Sequence, residues 1–256
     1  MSGISAGVPE AEPLLGGWSM LRSPAVAALL AASGVDWICL DAQHGEHDDA
    51  SVLDVCSRRH DGVRVLVRPP SNDAAWIGRA LDAGADGVVV PMVDSAADAR
   101  AAVHACRYPP LGGRSWGPLG GLHARPVPAA DAANRAVSVA VMVETAAALA
   151  VVDDIAATPG VDEVFVGPFD LSLTLGRDVD DLVADPAADA PLRRVVAACA
   201  RAGVRAAAFG ATADRSSALL DLGFTSVVVT TDAAALSLGA ASVVTAVRRG
   251  ARAAGG

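Results

Sequence analysis

The chain has 256 residues, 52% of them apolar and 19% charged, which is enough for one sizeable core and is a typical length for a single α/β barrel domain. Its formal charge is −9, with only five glutamates among 29 acidic residues, a balance that argues against a nucleic-acid groove or an anionic membrane surface as partner. All 20 basic residues are arginine, so no lysine is present to form a Schiff base, and lysine-dependent aldolase chemistry, pyridoxal-phosphate catalysis and a P-loop are excluded together.

Residues 1–13 carry no basic side chain and no apolar run, so disorder is expected there rather than an export signal or an anchor. Eight short β-branched apolar runs then recur at 14–19, 35–40, 63–67, 87–90, 137–143, 161–166, 204–209 and 225–230, with alanine-rich helical stretches between them. Their hydrophobicity is continuous rather than alternating, as in GVVVP and VSVAVMV, which is how strands covered on both faces of a parallel sheet read. Four of the runs, GVDWICLD, GADGVVVPM, GVDEVFVGP and GFTSVVVT, open on a glycine just past a helical stretch, a helix-ending signal. Eight such units predict an α/β fold, a single-domain (β/α)8 TIM barrel over 14–250 with a frayed tail at 251–256; the alternative is a doubly wound sheet.

Two stretches break the rhythm. Residues 107–135 are long and rich in glycine and proline, and are expected to form a lid over the barrel mouth. Residues 177–191 are acidic, carry two prolines and read as a solvated loop at the rim. Cys39, Cys56, Cys106 and Cys199 are widely separated with no C-x-x-C pairing, which fits reduced structural thiols and a cytoplasmic location.

In a barrel the active site gathers at the carboxyl ends of the strands. There the runs end in Asp41-Ala42-Gln43-His44, Arg68-Pro69-Pro70, Glu144-Thr145 and Gly167-Pro168-Phe169-Asp170. Glu144 and Asp170 offer hard oxygen ligands suited to Mg²⁺ or Mn²⁺; the competing reading is that each pairs with an arginine or caps the helix that follows it. Arg68 has the planar fork that grips a carboxylate or an enolate, against an ordinary strand-end ion pair. His44 directly follows a core strand and suits a general base, against a structural histidine. His47 completes an H-x-x-H spacing, but no helical pattern surrounds it and zinc ligation is not expected. Gly113-Arg114-Ser115-Trp116-Gly117 matches G-x-S-x-G, which keeps a serine hydrolase using Ser115 as an alternative; the flanking prolines and the absence of a histidine beyond His123 argue against it.

The segments GGWSMLRSP, LDAQHG, LVRPPSND, LDAGADGVVVPMV, CRYPPLGGRSWGP, VMVET, GVDEVFVGPFDLSL and VVVTTDAAAL, taken in this order, resemble the HpcH/HpaI class II aldolases, metal-dependent pyruvate aldolases on a (β/α)8 barrel. The resemblance implies that Glu144 and Asp170 hold a divalent cation (Mg²⁺, Mn²⁺ or Co²⁺) and that this cation binds pyruvate through its carboxylate and keto oxygens. It implies that Arg68 stabilises the enolate oxygen, that His44 is the base, polarised by Asp82 of the LDAGA segment, and that Asp41 supports the loop presenting His44. The backbone at Phe169 and Asp170 would receive the pyruvate carboxylate, Arg114 and Ser115 would contact the aldehyde, and Trp18 and Gln43 are further implied substrate contacts. The implied reaction is reversible cleavage of 4-hydroxy-2-oxo acids to pyruvate and an aldehyde, with oxaloacetate decarboxylation as an alternative in the same pocket and a non-catalytic binding barrel as another. The implied partners are the 2-oxo acid, the aldehyde and further copies of the chain, a hexamer or trimer of dimers with a C-terminal helix swapped between subunits, for which 233–247 is suitably apolar. Gln43 and Met142 stand where some members carry Glu and Gln, Trp116 where one subgroup has Phe, and Phe169 is expected to be bulkier than its usual counterpart and to narrow the pocket.

Overall fold

The computed structural model describes residues 12–58 and 62–253. Eight parallel strands close into a barrel: β1 (Leu14–Ser19), β2 (Trp37–Asp41), β3 (Arg64–Arg68), β4 (Gly87–Val90), β5 (Ser138–Val143), β6 (Glu163–Val166), β7 (Arg205–Phe209) and β8 (Ser226–Thr231). Each strand pairs with the next in sequence and β8 returns to β1, so the ring is closed and the doubly wound sheet is excluded. All eight strands fall on the expected apolar runs. The disorder expected of residues 1–13 and the fraying expected of 251–256 concern positions lying largely outside the described residues, and the last helix, Asp232–Ala253, runs to the end of those that are described. Among the described residues no helix is long and apolar enough to cross a membrane.

The side-chain period of two sorts every strand into two apolar sets. Ile38, Leu40, Val65, Val67, Val88 and Val90 point outward and pack under the helical ring. Trp37, Cys39, Leu66, Val89, Ala140, Met142 and Phe165 point inward and fill the barrel with Trp18, Ala207 and Val228. Because both sets are apolar, the strands read as unbroken hydrophobic runs.

The helix-ending glycines Gly34, Gly84, Gly160 and Gly223 all have φ between +90° and +105°, a conformation that disfavours a Cβ. Two residues beyond three of them an aspartate makes a reciprocal bond to the preceding strand. The Asp36 N–H donates to the Leu15 carbonyl at 2.8 Å, and its carboxylate accepts the Leu15 N–H at 2.8 Å. Asp86 does the same with Val65 and Asp162 with Val139, whereas Thr225 keeps only the backbone half, to Ala206.

The segment 107–135 does not form the expected lid. It joins the C-terminus of the helix Ala96–Cys106 to the start of β5, so both of its ends lie at the amino end of the barrel, opposite the strand tips. It packs there against the last turns of the helices Asp49–Cys56 and Ala74–Ala83, through Arg125 on the Cys56 carbonyl and Arg114 on Asp82 at 2.7 Å. The acidic stretch 177–191 contains one short helix, Val179–Val183, and Arg177 is paired with Asp185 at 2.7 Å. All four cysteines are free and buried, and burial pushes the thiols of Cys56, Cys106 and Cys199 up to about 12, which makes them inert at neutral pH.

At the amino end of the barrel interior, burial pushes the Glu163 carboxyl up to about 7, against the opposing pull of Arg205 3.2 Å away. The folded state therefore holds this proton more tightly than the unfolded chain, and ionisation costs stability as pH rises from about 4.5 towards about 7. The urea midpoint of the wild type is expected to fall across that window, and the fall should be largely absent in Glu163→Gln. Parallel pH profiles for the two proteins would contradict this.

Candidate active site

The alternation that fills the interior also sets polar side chains at its carboxyl end. Cys39 is followed inward by Asp41, Leu66 by Arg68 and Met142 by Glu144, each the next inward position on its own strand. Asp41 and Arg68 are register partners on β2 and β3. Their side chains form a buried bidentate pair, Arg68 Nε to Asp41 Oδ1 at 2.9 Å and Nη2 to Oδ2 at 2.6 Å. The Asp41 carboxylate also accepts the Trp18 indole N–H at 3.1 Å and the backbone N–H groups of Gln43 and His44 at 3.0 and 3.1 Å. Burial alone would raise its pKa, but these donors, led by Arg68, hold it below the usual carboxylate range. Arg68 lies over the Trp18 ring at 5.1 Å, and its Nη1 has no hydrogen-bond partner among the described residues.

Glu144 is 3% exposed and accepts the Met92 N–H on Oε1 at 2.7 Å. Met92 sits at φ +54°, a left-handed conformation uncommon for a residue with a Cβ, and this turns its N–H onto the carboxylate. The other oxygen lies against Gly167, where an added Cβ would stand 3.0 Å from Oε2. Burial raises the Glu144 pKa, the Met92 hydrogen bond opposes this, the charge of Asp170 adds to it, and Arg68 and His44 pull it back down. These four groups thus share one electrostatic neighbourhood. Asp170 is exposed in the first turn of the helix Pro168–Leu175, and its carboxylate has no protein partner among the described residues. Among the described residues no group of three or more His, Cys, Asp and Glu side chains is close enough together to hold a metal ion by itself. Two carboxylate donors, one desolvated and one unpaired, fit a hard divalent cation that takes its remaining ligands from water and substrate.

His44 is exposed on the loop after β2, and its ring has no hydrogen bond among the described residues. The expected contact with Asp82 does not form within the chain. Asp82 is in the last turn of the helix Ala74–Ala83, at the opposite end of the barrel, and is paired with Arg114. Arg114 is itself buried on the Tyr108 ring at 4.5 Å, and Ser115 is exposed beside it, so neither reaches the strand tips of its own barrel. Ser115 also lies in irregular chain with no strand before it, so no nucleophile elbow is built there. Gln43 is half-buried, and its Oε1 is buried without a partner. Phe169 is exposed at the rim, edge-on to Phe209 at 6.2 Å and under the Arg215 guanidinium at 5.0 Å. Trp18 is fully inside, where it braces Asp41 and Arg68 from below. The N–H of Met92 escaped sequence reasoning because a backbone donor leaves no residue-type signal.

Residues 14–237 match the family model described as HpcH/HpaI aldolase/citrate lyase. The chain is 34% identical over 238 residues to a hydroxypyruvate/pyruvate aldolase of Paraburkholderia phytofirmans, covering 90% of this chain and 91% of that one. It is 33% identical over 223 residues to a 2-dehydro-3,6-dideoxy-6-sulfogluconate aldolase of Pseudomonas putida, covering 86% and 87%. A crystal structure of an HpcH/HpaI aldolase/citrate lyase family protein from Burkholderia cenocepacia superposes with a TM-score of 0.84 at 32% identity, covering 93% of this chain and 95% of that one. The chain is therefore an enzyme of the aldolase and lyase class, and it belongs to the HpcH/HpaI aldolase/citrate lyase family.

Proposed function

We propose that this enzyme is a metal-dependent aldolase that reversibly cleaves 4-hydroxy-2-oxo acids to pyruvate and an aldehyde. The observation that carries the reading is the placement of His44, Arg68, Glu144 and Asp170 at the carboxyl ends of β2, β3, β5 and β6, where Asp170, Arg68 and His44 all act on the charge of Glu144, in a chain without lysine. The pyruvate in the names of relatives from several organisms supports the choice of ketone. Glu144 and Asp170 would hold the cation, Mg²⁺, Mn²⁺ or Co²⁺, which when bound supplies a Lewis acid beside the keto group.

The chain's own residues do the rest. Arg68 is locked by Asp41 with one guanidinium nitrogen free, which suits an oxygen that becomes negative only as the C3–C4 bond breaks, so its effect falls on the transition state. His44 takes the proton of the 4-hydroxyl in the cleavage direction and returns it to C3 of the enolate. Gln43, half-buried on the loop after β2, is a further candidate contact for the substrate. The N–H groups of Phe169 and Asp170, in the first turn of their helix, suit the pyruvate carboxylate.

The test is deuterium exchange at the pyruvate methyl, followed by NMR. Exchange should occur with the enzyme, stop after EDTA treatment and return with Mn²⁺ or Mg²⁺; exchange that survives thorough chelation overturns the reading. A cytoplasmic setting is part of the proposal and is supported by the four free, buried thiols. So is a homo-oligomer, a hexamer or trimer of dimers, in which the helix Asp232–Ala253 covers a neighbouring subunit. In support, Leu236, Leu238 and Val247 on that helix are 64%, 69% and 68% exposed, and sedimentation equilibrium would show a monomer if the proposal fails.

A further inference from the structure

Beside the strand tips lies a second polar cluster with no role in the chemistry above. Ser19, His47, Ser51 and Asp232 are all buried, and they come from β1, the loop after β2, the helix Asp49–Cys56 and the start of the last helix. The Ser19 hydroxyl donates to Asp232 Oδ2 at 2.9 Å, which leaves its lone pairs to accept from His47 Nε2 at 3.0 Å. The proton of the neutral ring is therefore on Nε2, and Nδ1 lies 3.2 Å from Ser51 Oγ, whose own proton goes to the Asp48 carbonyl at 3.0 Å. The result is a directed chain, His47 to Ser19 to Asp232, in which each donor points the same way, with Ser51 seated against the other ring nitrogen.

This chain grips the loop that carries His44. The Asp232 carboxylate accepts the Met20 and Leu21 N–H groups, both at 3.0 Å, and so holds the turn after β1. The Met20 carbonyl accepts the Glu46 N–H at 2.7 Å. Gly45 approaches so closely that an added Cβ would stand 2.5 Å from the Asp41 carbonyl and 3.1 Å from Met20 Cα. The loop is thus pinned at its near end by Asp41 and at its far end by His47, with the free ring of His44 between them.

We infer that His47, Ser19 and Asp232 are positioning residues for His44: the buried His47–Ser19–Asp232 chain fixes the loop from which the base acts. The inference rests on the reading of His44 as the base. It also gives the H-x-x-H pair a physical sense, in which one histidine works and the other holds the loop.

Three variants test it: His47→Leu, which removes the bond of the ring to Ser19, His47→Gln, which keeps a donor for Ser19, and Ser19→Ala. In His47→Leu and Ser19→Ala the kcat for pyruvate methyl exchange should fall about tenfold or more, the effect of a small misplacement of a catalytic group. The KM for pyruvate should stay unchanged, because Arg68 and the two carboxylates are untouched. His47→Gln should recover most of the rate, and the His44 ring C–H resonances should move in His47→Leu and return in His47→Gln. Should His47→Leu fail to fold by circular dichroism, Asp232→Asn, which keeps one acceptor oxygen, is expected to give the same kcat loss in milder form. Folded variants that exchange at the wild-type rate with unmoved His44 resonances overturn the inference, as does a change confined to KM. A wild type that shows no exchange at all would sink the proposed function instead, and the His44 resonances would then decide the positioning claim alone.

Discussion

Glu144→Gln and Asp170→Asn are each expected to lower pyruvate methyl exchange by about a thousandfold, the scale of removing a single transition-state stabilising group. Both replacements keep the shape of the side chain and remove its charge, so the loss would fall on cation binding rather than on packing. Glu144 allows a sharper distinction. Its pKa is raised by burial and by Asp170, so its ionised form costs the folded state free energy at neutral pH. Glu144→Gln should therefore be inactive and yet as stable as the wild type at pH 7, or more so, whereas a residue kept for structure would lose both together. Activity measured by exchange at rising Mn²⁺, alongside a thermal melt, separates these outcomes, and a fully active Asp170→Asn would remove that side chain from the ligand pair.

The second large effect concerns the Asp41–Arg68 pair. With Asp41 inaccessible and the Arg68 side chain 10% exposed, removing either partner leaves a charge stranded in the barrel. Asp41→Asn is expected to cost about 3–5 kcal/mol in urea unfolding, the range for breaking a buried ion pair from one side. The double variant Asp41→Leu/Arg68→Met should recover much of that stability, since an apolar pair of similar volume avoids the desolvation cost, but it should show no exchange. If Asp41→Asn unfolds like the wild type, some other contact holds Arg68. The pH dependence has a definite sign. The Asp41 carboxyl lies below its ordinary value in the folded chain, so its stabilisation is present above about 3.8 and is lost as pH falls through the lower folded value.

The barrel could be read from the chain because the buried runs and, at four of them, the helix-ending glycines agree; the structure adds Ser, Thr or Asp caps at Ser23, Asp48, Asp73, Ser95, Thr145 and Thr212. The strand-tip residues were readable for the same reason, since position after a run implies position at the mouth. Residues 107–135 misled because composition marks a long loop without saying at which end of the barrel it lies. Connectivity does say so, as a segment between a helix and the next strand returns at the amino end, and this also removes Arg114 and Ser115 from the mouth of their own barrel. Asp82 lies away from the mouth of its own barrel for the same reason, being in the final turn of its helix. Phe169, expected to narrow the pocket, has its ring against Phe209 and Arg215 at the rim. Asp232 was within reach of the strand-tip rule, for it follows β8 directly, yet its partners Ser19 and His47 are distant in sequence and only the folded ring brings them together.

The reciprocal bonds of Asp36, Asp86 and Asp162 bear on anyone who would redesign the exterior. These three carboxylates are solvent-exposed and would pass for dispensable decoration on an acidic molecule, but each one stitches the foot of a strand to its neighbour. Charge-reversal campaigns aimed at solubility or crystallisation should spare them and spend their changes on Asp54, Asp189 and Asp214, whose side chains hold no such seam among the described residues.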